Sequence, residues 1–321
     1  MNKRVLVVGA GNLGRRHIQS LELSQTKLDI VVVDLSEEAL SIAKELLAKD
    51  AITNQISYTN SIASIDGMID LAIVATTANS RLAILKELLS QGVNEIILEK
   101  IVFNSLSDIN DAHDLISANR EAKIWVNCPR RLYPIYRRLK KELMGETFEK
   151  FTVKGNNFGM GCNGIHFIDL IAYFIGDNNY QLSSERIVEV PESKRKGYVE
   201  LVGALDGAFD SGCQVEMLCG NEGDKVELEL CFILGHGSLL INEQAGEAIL
   251  RRGDSMEVME FNMPYQSELT GPLVDRIFSD SRCELTTLEE SLALHYPFIS
   301  AAYEAYAERF GTNDKKFIPL T

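Results

Sequence analysis

The sequence predicts an α/β N-terminal half on a doubly wound parallel sheet and an α+β C-terminal half on a large, mainly antiparallel open sheet. Three observations carry this. From Met1 to Asn127 short apolar runs alternate with stretches of helical spacing, the pattern of a parallel sheet covered on both faces. Beyond about Tyr133 the runs instead alternate apolar and polar with a period of two, as strands with one covered face do. The 321 residues also exceed a typical single core and fit about two domains, here 1–127 and 128–321.

In the first half, "RVLVVGAG" is a short buried strand, and "NLGRRHIQSLEL" is a helix with Leu13, Ile18 and Leu21 on one side. "LDIVVVD" is the second strand. Ser36 then N-caps "EEALSIAKELLAKD", with Glu37 and Glu38 in the favoured first turn. "MIDLAIVATT" is a third strand, and the helix "SRLAILKELLSQ" stops at Gly92, a common residue just past a helix end. "VNEIILEK" follows as a strand, Ser105 opens the helix "LSDINDAHDLISAN", and "AKIWVNC" is another strand.

In the second half a basic helix, "YPIYRRLKKELMG", leads into "TFEKFTVKG", "GCQVEMLCG", "KVELELCFI" and "GSLLINE". Turns such as "NEGD", "EQAG" and "RRGD" separate several of these strands. Two late helices, near Leu269–Ser281 and Leu288–Phe310, are expected to cover this sheet.

Composition narrows the function. The net charge is −14, which disfavours nonspecific nucleic-acid binding. No run approaches the length of a membrane span, and the apolar stretch after Lys3-Arg4 is too short for a secretory signal. The six cysteines form no CxxC and no tight framework, which fits a reducing, cytoplasmic setting. No His, Cys or Asp grouping has metal-ligand spacing.

"VVGAGNLGRRH" places Gly9-x-Gly11-x-x-Gly14 directly after a strand and at the opening of a helix, and Asp34 ends the next strand twenty residues on. That is the dinucleotide-binding context of a Rossmann domain. Gly9 permits the tight turn, Gly11 lets the backbone approach a pyrophosphate, and Gly14 allows close helix packing. Asn12 and Leu13 head the helix whose free amides face the phosphates. Asp34 accepts hydrogen bonds from the ribose hydroxyls and repels a 2′-phosphate, which favours NAD. Arg15 and Arg16 keep NADP open, since a nearby arginine accommodates that phosphate.

Glu99 and Lys100 sit side by side at the end of an apolar run, and buried charges are costly unless they are paired or do chemistry. With "GAGNLGRRH", "VATTAN", this "EK" pair, "RRLYP" and "GIHFIDL" in order, the chain resembles the Gfo/Idh/MocA (glucose–fructose oxidoreductase / inositol dehydrogenase) family over nearly its whole length. The resemblance implies that Lys100 is the catalytic lysine between nicotinamide and substrate, and that Glu99, Thr76 and Asn79 lie on the cofactor side. It makes His166 the proton-transferring group of "GIHFIDL", with Asp169 one turn on. An imidazole suits that role because its ordinary pKa lies near neutrality. Arg131, Tyr133 and Asn163 are candidate substrate contacts. His17, His113, His236 and His295 are read as surface or structural groups.

Two departures stand out. The family commonly has proline after the lysine, often with a cis bond; Ile101 stands here, which loosens the expected geometry. Cys162 replaces an aspartate often found four residues before the histidine, so ligand polarity or the proton route must differ. The implied substrate is a sugar-like small molecule with a secondary hydroxyl or ketone. "CPRRLYP…GCNGIHFIDL" is similar to oxidoreductases of bacterial surface-polysaccharide and nonulosonate pathways. Arg130, Arg131, Arg137, Arg138, Lys140 and Lys141 fit an anionic ligand or, equally, a solvated helix face. Pairing of subunits through the second-half sheet is implied too, as a homo-dimer or tetramer. Two other readings stay open: a nonenzymatic NAD-binding sensor or assembly protein, and a reductase of a non-sugar carbonyl or imine.

Overall fold

A computed structural model describes residues 2–50 and 53–321. In chain order the first elements are β1 (Lys3–Val8), α1 (Asn12–Leu21), β2 (Leu28–Val33), α2 (Glu37–Leu47), β3 (Gln55–Thr59), β4 (Leu71–Val74), α3 (Ala78–Ser90), β5 (Glu95–Glu99), α4 (Leu106–Ala118) and β6 (Lys123–Asn127). Next come α5 (Pro134–Glu142), β7 (Phe148–Asn156), α6 (Met160–Ile175), β8 (Tyr180–Ser183), β9 (Ile187–Glu189), β10 (Val202–Phe209) and β11 (Gln214–Gly220). The remainder is β12 (Glu227–Leu234), β13 (Gly237–Asn242), β14 (Glu247–Arg252), β15 (Ser255–Glu260), α7 (Gln266–Asp280), β16 (Thr286–Thr287) and α8 (Leu288–Phe310).

The chain forms two compact units. The first comprises Met1–Phe103, Asp111–Leu132 and Pro264–Glu289, and the second Asn104–Asn110, Tyr133–Met263 and Glu290–Thr321. The first unit is therefore discontinuous: a split at 127 leaves out Pro264–Glu289.

In the first unit the strand order is β16-β6-β5-β4-β1-β2-β3. β1 to β6 are parallel to their neighbours, and β16 closes one edge antiparallel to β6. Order reverses between β1 and β4, so a crevice for ligand opens at the carboxyl ends of these strands. Val5, Leu6, Val7, Ile30, Val32, Leu71, Ala72 and Ile73 are essentially inaccessible, as the continuous apolar runs require of strands covered on both faces. The expected caps are present: Ser36 Oγ accepts from Ala39 N at 3.1 Å, and Gly92 takes a left-handed φ of 80° just past α3.

One element goes elsewhere than expected. The helix read near 269–281 does not cover the second sheet; α7 packs against α1 in the first unit. The reason is a close helix crossing at Gly271. A Cβ there would lie 2.2 Å from Ser20 O, while Gly271 N donates to Ser20 Oγ at 3.0 Å. Asp275 adds acceptors for Ser24 Oγ at 2.6 Å, Gln25 N at 2.7 Å and Thr26 N at 3.0 Å.

The second unit is built on a nine-stranded sheet with the path β15-β14-β13-β12-β7-β11-β10-β8, and β9 pairs with β10. It is antiparallel except where β7 meets β11. The period of two survives across the register. The row Met217, Val153, Leu230, Ile241, Ala248, Met259 is buried. The adjacent row Cys231, Leu240, Ile249, Val258 lies on the other face and is half-buried to exposed. Phe151 stacks on Phe232 with centroids 4.4 Å apart, and Phe174 meets Phe232 edge-on at 5.4 Å.

Replacing Gly271 with alanine forces a methyl group into the Ser20 carbonyl. Gly271→Ala is expected to cost about 1–3 kcal/mol, measured as a lower denaturation midpoint at unchanged slope.

Candidate active site

The glycine loop between β1 and α1 has the stereochemistry its sequence requires. Gly9 sits at φ 105°, and a Cβ there would be 2.9 Å from Ala75 C and O. A Cβ on Gly14 would lie 1.8 Å from Gly9 O, whereas one on Gly11 would meet nothing within 4 Å. Gly9 and Gly14 thus close the turn, and Gly11 keeps open the space that a pyrophosphate needs at a helix start. Asn12 is exposed and Leu13 half-buried at the head of α1.

Asp34, at the tip of β2, is held from both sides. Its Oδ2 accepts from Ala10 N at 2.8 Å and its Oδ1 from Ser36 N at 2.9 Å. The remaining lone pairs are available to ribose hydroxyls. Arg15 folds back onto Ala10 O and Asn12 Oδ1, and Arg16 donates to Gln19 Oε1 at 2.8 Å. These residues fit a dinucleotide.

Around the carboxyl ends of β4 and β5, Thr76 is half-buried and Asn79 exposed on the first turn of α3. Arg81, 2% exposed, donates to Thr76 O, to Ile101 O and, at 3.1 Å, to Val102 O. It pins the two strand tips together.

Glu99 and Lys100 have different surroundings. Lys100 is half-buried at the strand end. The Lys100–Ile101 peptide bond is cis. Glu99 is 3% exposed and belongs to a buried ring of side chains. His17 Nε2 lies 2.9 Å from Glu99 Oε1, and Asn127 Nδ2 donates to the same oxygen at 2.5 Å. Asn127 Nδ2 also donates to Gln266 Oε1 at 3.1 Å, Gln266 Nε2 donates to Thr270 Oγ1 at 3.0 Å, and Thr270 Oγ1 lies 2.8 Å from His17 Nδ1. The directions close consistently when His17 carries its hydrogen on Nε2 and Thr270 donates to Nδ1.

This environment shifts Glu99. Burial alone pushes the carboxyl up, but its pairing with His17, the Asn127 hydrogen bond and the nearby Arg81 guanidinium outweigh that effect and hold its pKa below the usual carboxylate value.

In the second unit the remaining candidates ride on α6. Gly159, left-handed at φ 72°, turns the chain into the helix, and Gly176 at φ 74° ends it. Gly161 and Gly164 face Leu320 and Phe298, where a Cβ would come within 2.8 and 2.6 Å. His166 is 8% exposed and Asp169 1%; three residues apart, they share a helix face. Cys162 and Asn163 are partly exposed, and Asn163 Nδ2 donates to Phe158 O at 2.6 Å. Glu200 accepts from Gly161 N at 2.8 Å and Cys162 N at 3.3 Å. Tyr133, the residue before α5, stacks on Tyr136 at 6.1 Å. Arg131 lies half-buried in the 3-10 turn Pro129–Leu132 of the first unit.

Parts of the basic run are structural. Arg138 pairs with Glu142 and Glu257, each at 2.6 Å, and Lys140 donates to the Tyr173 and Phe174 carbonyls at the end of α6. Of the histidines, His113 and His236 are exposed and His295 is buried beside Ser291. Sequence reasoning missed Arg81, Asn127, Gln266, Thr270 and the ring role of His17. One signal existed for His17, which follows Gly14 by three residues and so points from the glycine-loop helix along the same face.

Because the folded pKa of Glu99 is depressed, its stabilisation is complete above the ordinary carboxylate value of about 4.3 and is lost as pH falls through the lower, folded value. Glu99→Gln is therefore expected to lower Tm most near neutrality, with the gap to wild type narrowing in acid. Thermal melts between neutral pH and about pH 3 measure this.

Among the described residues no group of three or more His, Cys, Asp or Glu side chains is arranged to hold a metal ion. No described helix is long and apolar enough to cross a membrane. No curated protein matches the chain by sequence. In solved structures the chain is similar to an oxidoreductase from Agrobacterium radiobacter in complex with NAD+, L-tartaric acid and magnesium (TM-score 0.74, 15% identity, covering 96% of this chain and 97% of that one). It is similar to a UDP-N-acetylglucosamine 3-dehydrogenase from Acidithiobacillus ferrooxidans (0.73, 12%, 95% and 97%), and to biliverdin reductase from Synechocystis sp. PCC 6803 in complex with biliverdin and NADP+ (0.72, 14%, 93% and 98%). At these identities the likeness establishes the fold. Residues 3–127 match the Gfo/Idh/MocA profile, an oxidoreductase family with an NAD-binding Rossmann fold. With the glycine loop and Asp34 placed as described, residues 3–127 form an NAD-binding Rossmann domain that matches the Gfo/Idh/MocA oxidoreductase family.

Proposed function

We propose that this oxidoreductase transfers hydride between a nicotinamide dinucleotide, NAD rather than NADP, and a secondary hydroxyl or ketone of a sugar, polyol or sugar derivative. The observation that carries the reading is Lys100, half-buried at the carboxyl end of β5 in the sheet whose β1 end bears the glycine loop. That crest is where ligands bind in open α/β sheets.

Bound NAD supplies the hydride acceptor at C4 of the nicotinamide. Lys100 donates a hydrogen bond to the reacting oxygen and stabilises its developing negative charge. His166 takes the hydroxyl proton, and in the reverse direction returns it. Asp169, one turn along α6, orients the substrate side of that face. Asn163 keeps Oδ1 and one N–H for a sugar hydroxyl after bonding Phe158 O. Cys162, Arg131 and Tyr133 are assigned as further substrate contacts, and Thr76 and Asn79 as coenzyme contacts.

The similarity to a UDP-N-acetylglucosamine 3-dehydrogenase supports an activated sugar as substrate, in line with a place in surface-polysaccharide or nonulosonate metabolism. The similarity to biliverdin reductase favours a second reading, reduction of a non-sugar acceptor on the same scaffold. A panel of UDP-N-acetylglucosamine, myo-inositol, free hexoses and biliverdin, followed at the NADH absorbance, separates the two. Lys100→Met and His166→Ala are expected to keep NAD binding while turnover falls at least about 100-fold. Near-normal turnover in either variant removes that residue from the mechanism.

The half-exposed row Cys231, Leu240, Ile249 and Val258 on the second sheet, with Ile233 39% and Met256 61% exposed, supports pairing with a second copy through this face. Leu240→Glu is expected to shift the protein to monomer in size-exclusion chromatography with light scattering. An unchanged mass rejects this interface.

A further inference from the structure

Lys100 hangs between two buried tethers. On its N-terminal side Glu99 is fixed by the ring of His17, Asn127, Gln266 and Thr270. On its C-terminal side Arg81 holds the carbonyls of Ile101 and Val102 and ties them to that of Thr76. Ile101, Val102 and Phe103 are fully buried. The main chain on either side of the lysine therefore has no slack.

The ring is an expensive way to obtain stability. A carboxylate, an imidazole, two amides and a hydroxyl are desolvated where well-packed apolar side chains would do as well or better. What directional hydrogen bonds add is a preferred arrangement, since the shared donors and acceptors of the ring are all satisfied together only when the five side chains keep these distances and angles. The elements they lock are informative. His17 lies one turn beyond Gly14 on the glycine-loop helix, Glu99 and Asn127 are paired neighbours at the ends of β5 and β6, and Gln266 and Thr270 are one turn apart on α7. The ring thus references the Cα of Lys100 to the helix that receives the coenzyme.

We propose that His17, Asn127, Gln266 and Thr270 are positioning residues that act through Glu99 to fix Lys100 relative to the glycine loop. This rests on the assignment of Lys100 as the group that works on the substrate oxygen. It is tested without turnover, so its failure is separate from that of the Lys100→Met experiment.

The measurement is competitive acetylation by acetic anhydride, read lysine by lysine by mass spectrometry on the full chain with NAD added. The other lysines serve as internal controls. Thr270→Val removes the hydroxyl at constant volume and Thr270→Ser restores it. Thr270→Val is expected to change Lys100 labelling about fivefold, the factor one lost buried hydrogen bond makes in a local opening equilibrium, with the other lysines unmoved. Thr270→Ser is expected to label as wild type. If Thr270→Val does not fold, Gln266→Met at a half-buried position replaces it and is expected to give the same selective change. Unchanged Lys100 labelling, a change shared by all lysines, or a change equally present in Thr270→Ser overturns the proposal.

Discussion

The first unit is organised around one carboxylate that has lost its water. Glu99 is 3% exposed, and an unpaired carboxylate in such a place would protonate or unfold its surroundings. Its charge is tolerable because His17 and Asn127 meet the same oxygen and because their other polar atoms are met in turn by Thr270 and Gln266. Those partners come from segments separated by as many as 253 positions. Satisfying Glu99 therefore requires the chain to leave the first unit, build the second, and return with α7. The discontinuity of the first unit and the close α1–α7 crossing at Gly271 serve that requirement together.

How much of this was legible in the sequence follows from the range of each interaction. The glycine loop, Asp34, the Ser36 cap and the Gly92 stop are local: their physics is spent within a few residues, and the residues advertise it. β7, β11, β12 and β13 of the second unit were equally plain, because one covered face imposes the period of two directly. β3, β8, β9, β10, β14, β15 and β16 were not read as strands. β10 carries Gly203, Asp206 and Gly207, and β15 is mostly exposed, so neither displays an apolar run. An amphipathic helix states that it has an apolar face but not which surface it will cover, and α7 was accordingly given to the wrong sheet. The ring was legible only in part: Glu99 stood out by its desolvation cost and His17 by its spacing from Gly14, but Asn127, Gln266 and Thr270 are unremarkable until folding brings them together.

The adjacency of Glu99 and Lys100 illustrates both the reach and the limit of such reading. That two neighbouring charges in an apolar run needed partners or a task was evident from desolvation cost alone. The resemblance to a known family suggested a task for Lys100, whereas the partners of Glu99, His17 and Asn127, came to light only in the fold. The basic run after Arg130 fitted an anionic ligand and a solvated helix face equally well. Arg138 and Lys140 are instead committed to Glu142, Glu257 and the last carbonyls of α6, and cations at a helix C-terminus need no ligand to explain them.

The start of α6 applies the same electrostatic rule at the opposite pole. A helix N-terminus offers free amides and a partial positive charge to any anion that reaches it. Here Glu200 already accepts from Gly161 and Cys162, so that attraction is consumed within the fold. Cys162 stands where an aspartate is common, yet the first turn is not left without a carboxylate, because Glu200 supplies one from the segment before β10. Glu200 thus brings a carboxyl group to the first turn of α6, directed at main-chain amides. Cys162 and Asn163 follow on the same turn, both partly exposed, while the carboxylate that meets the first-turn amides comes from outside the helix.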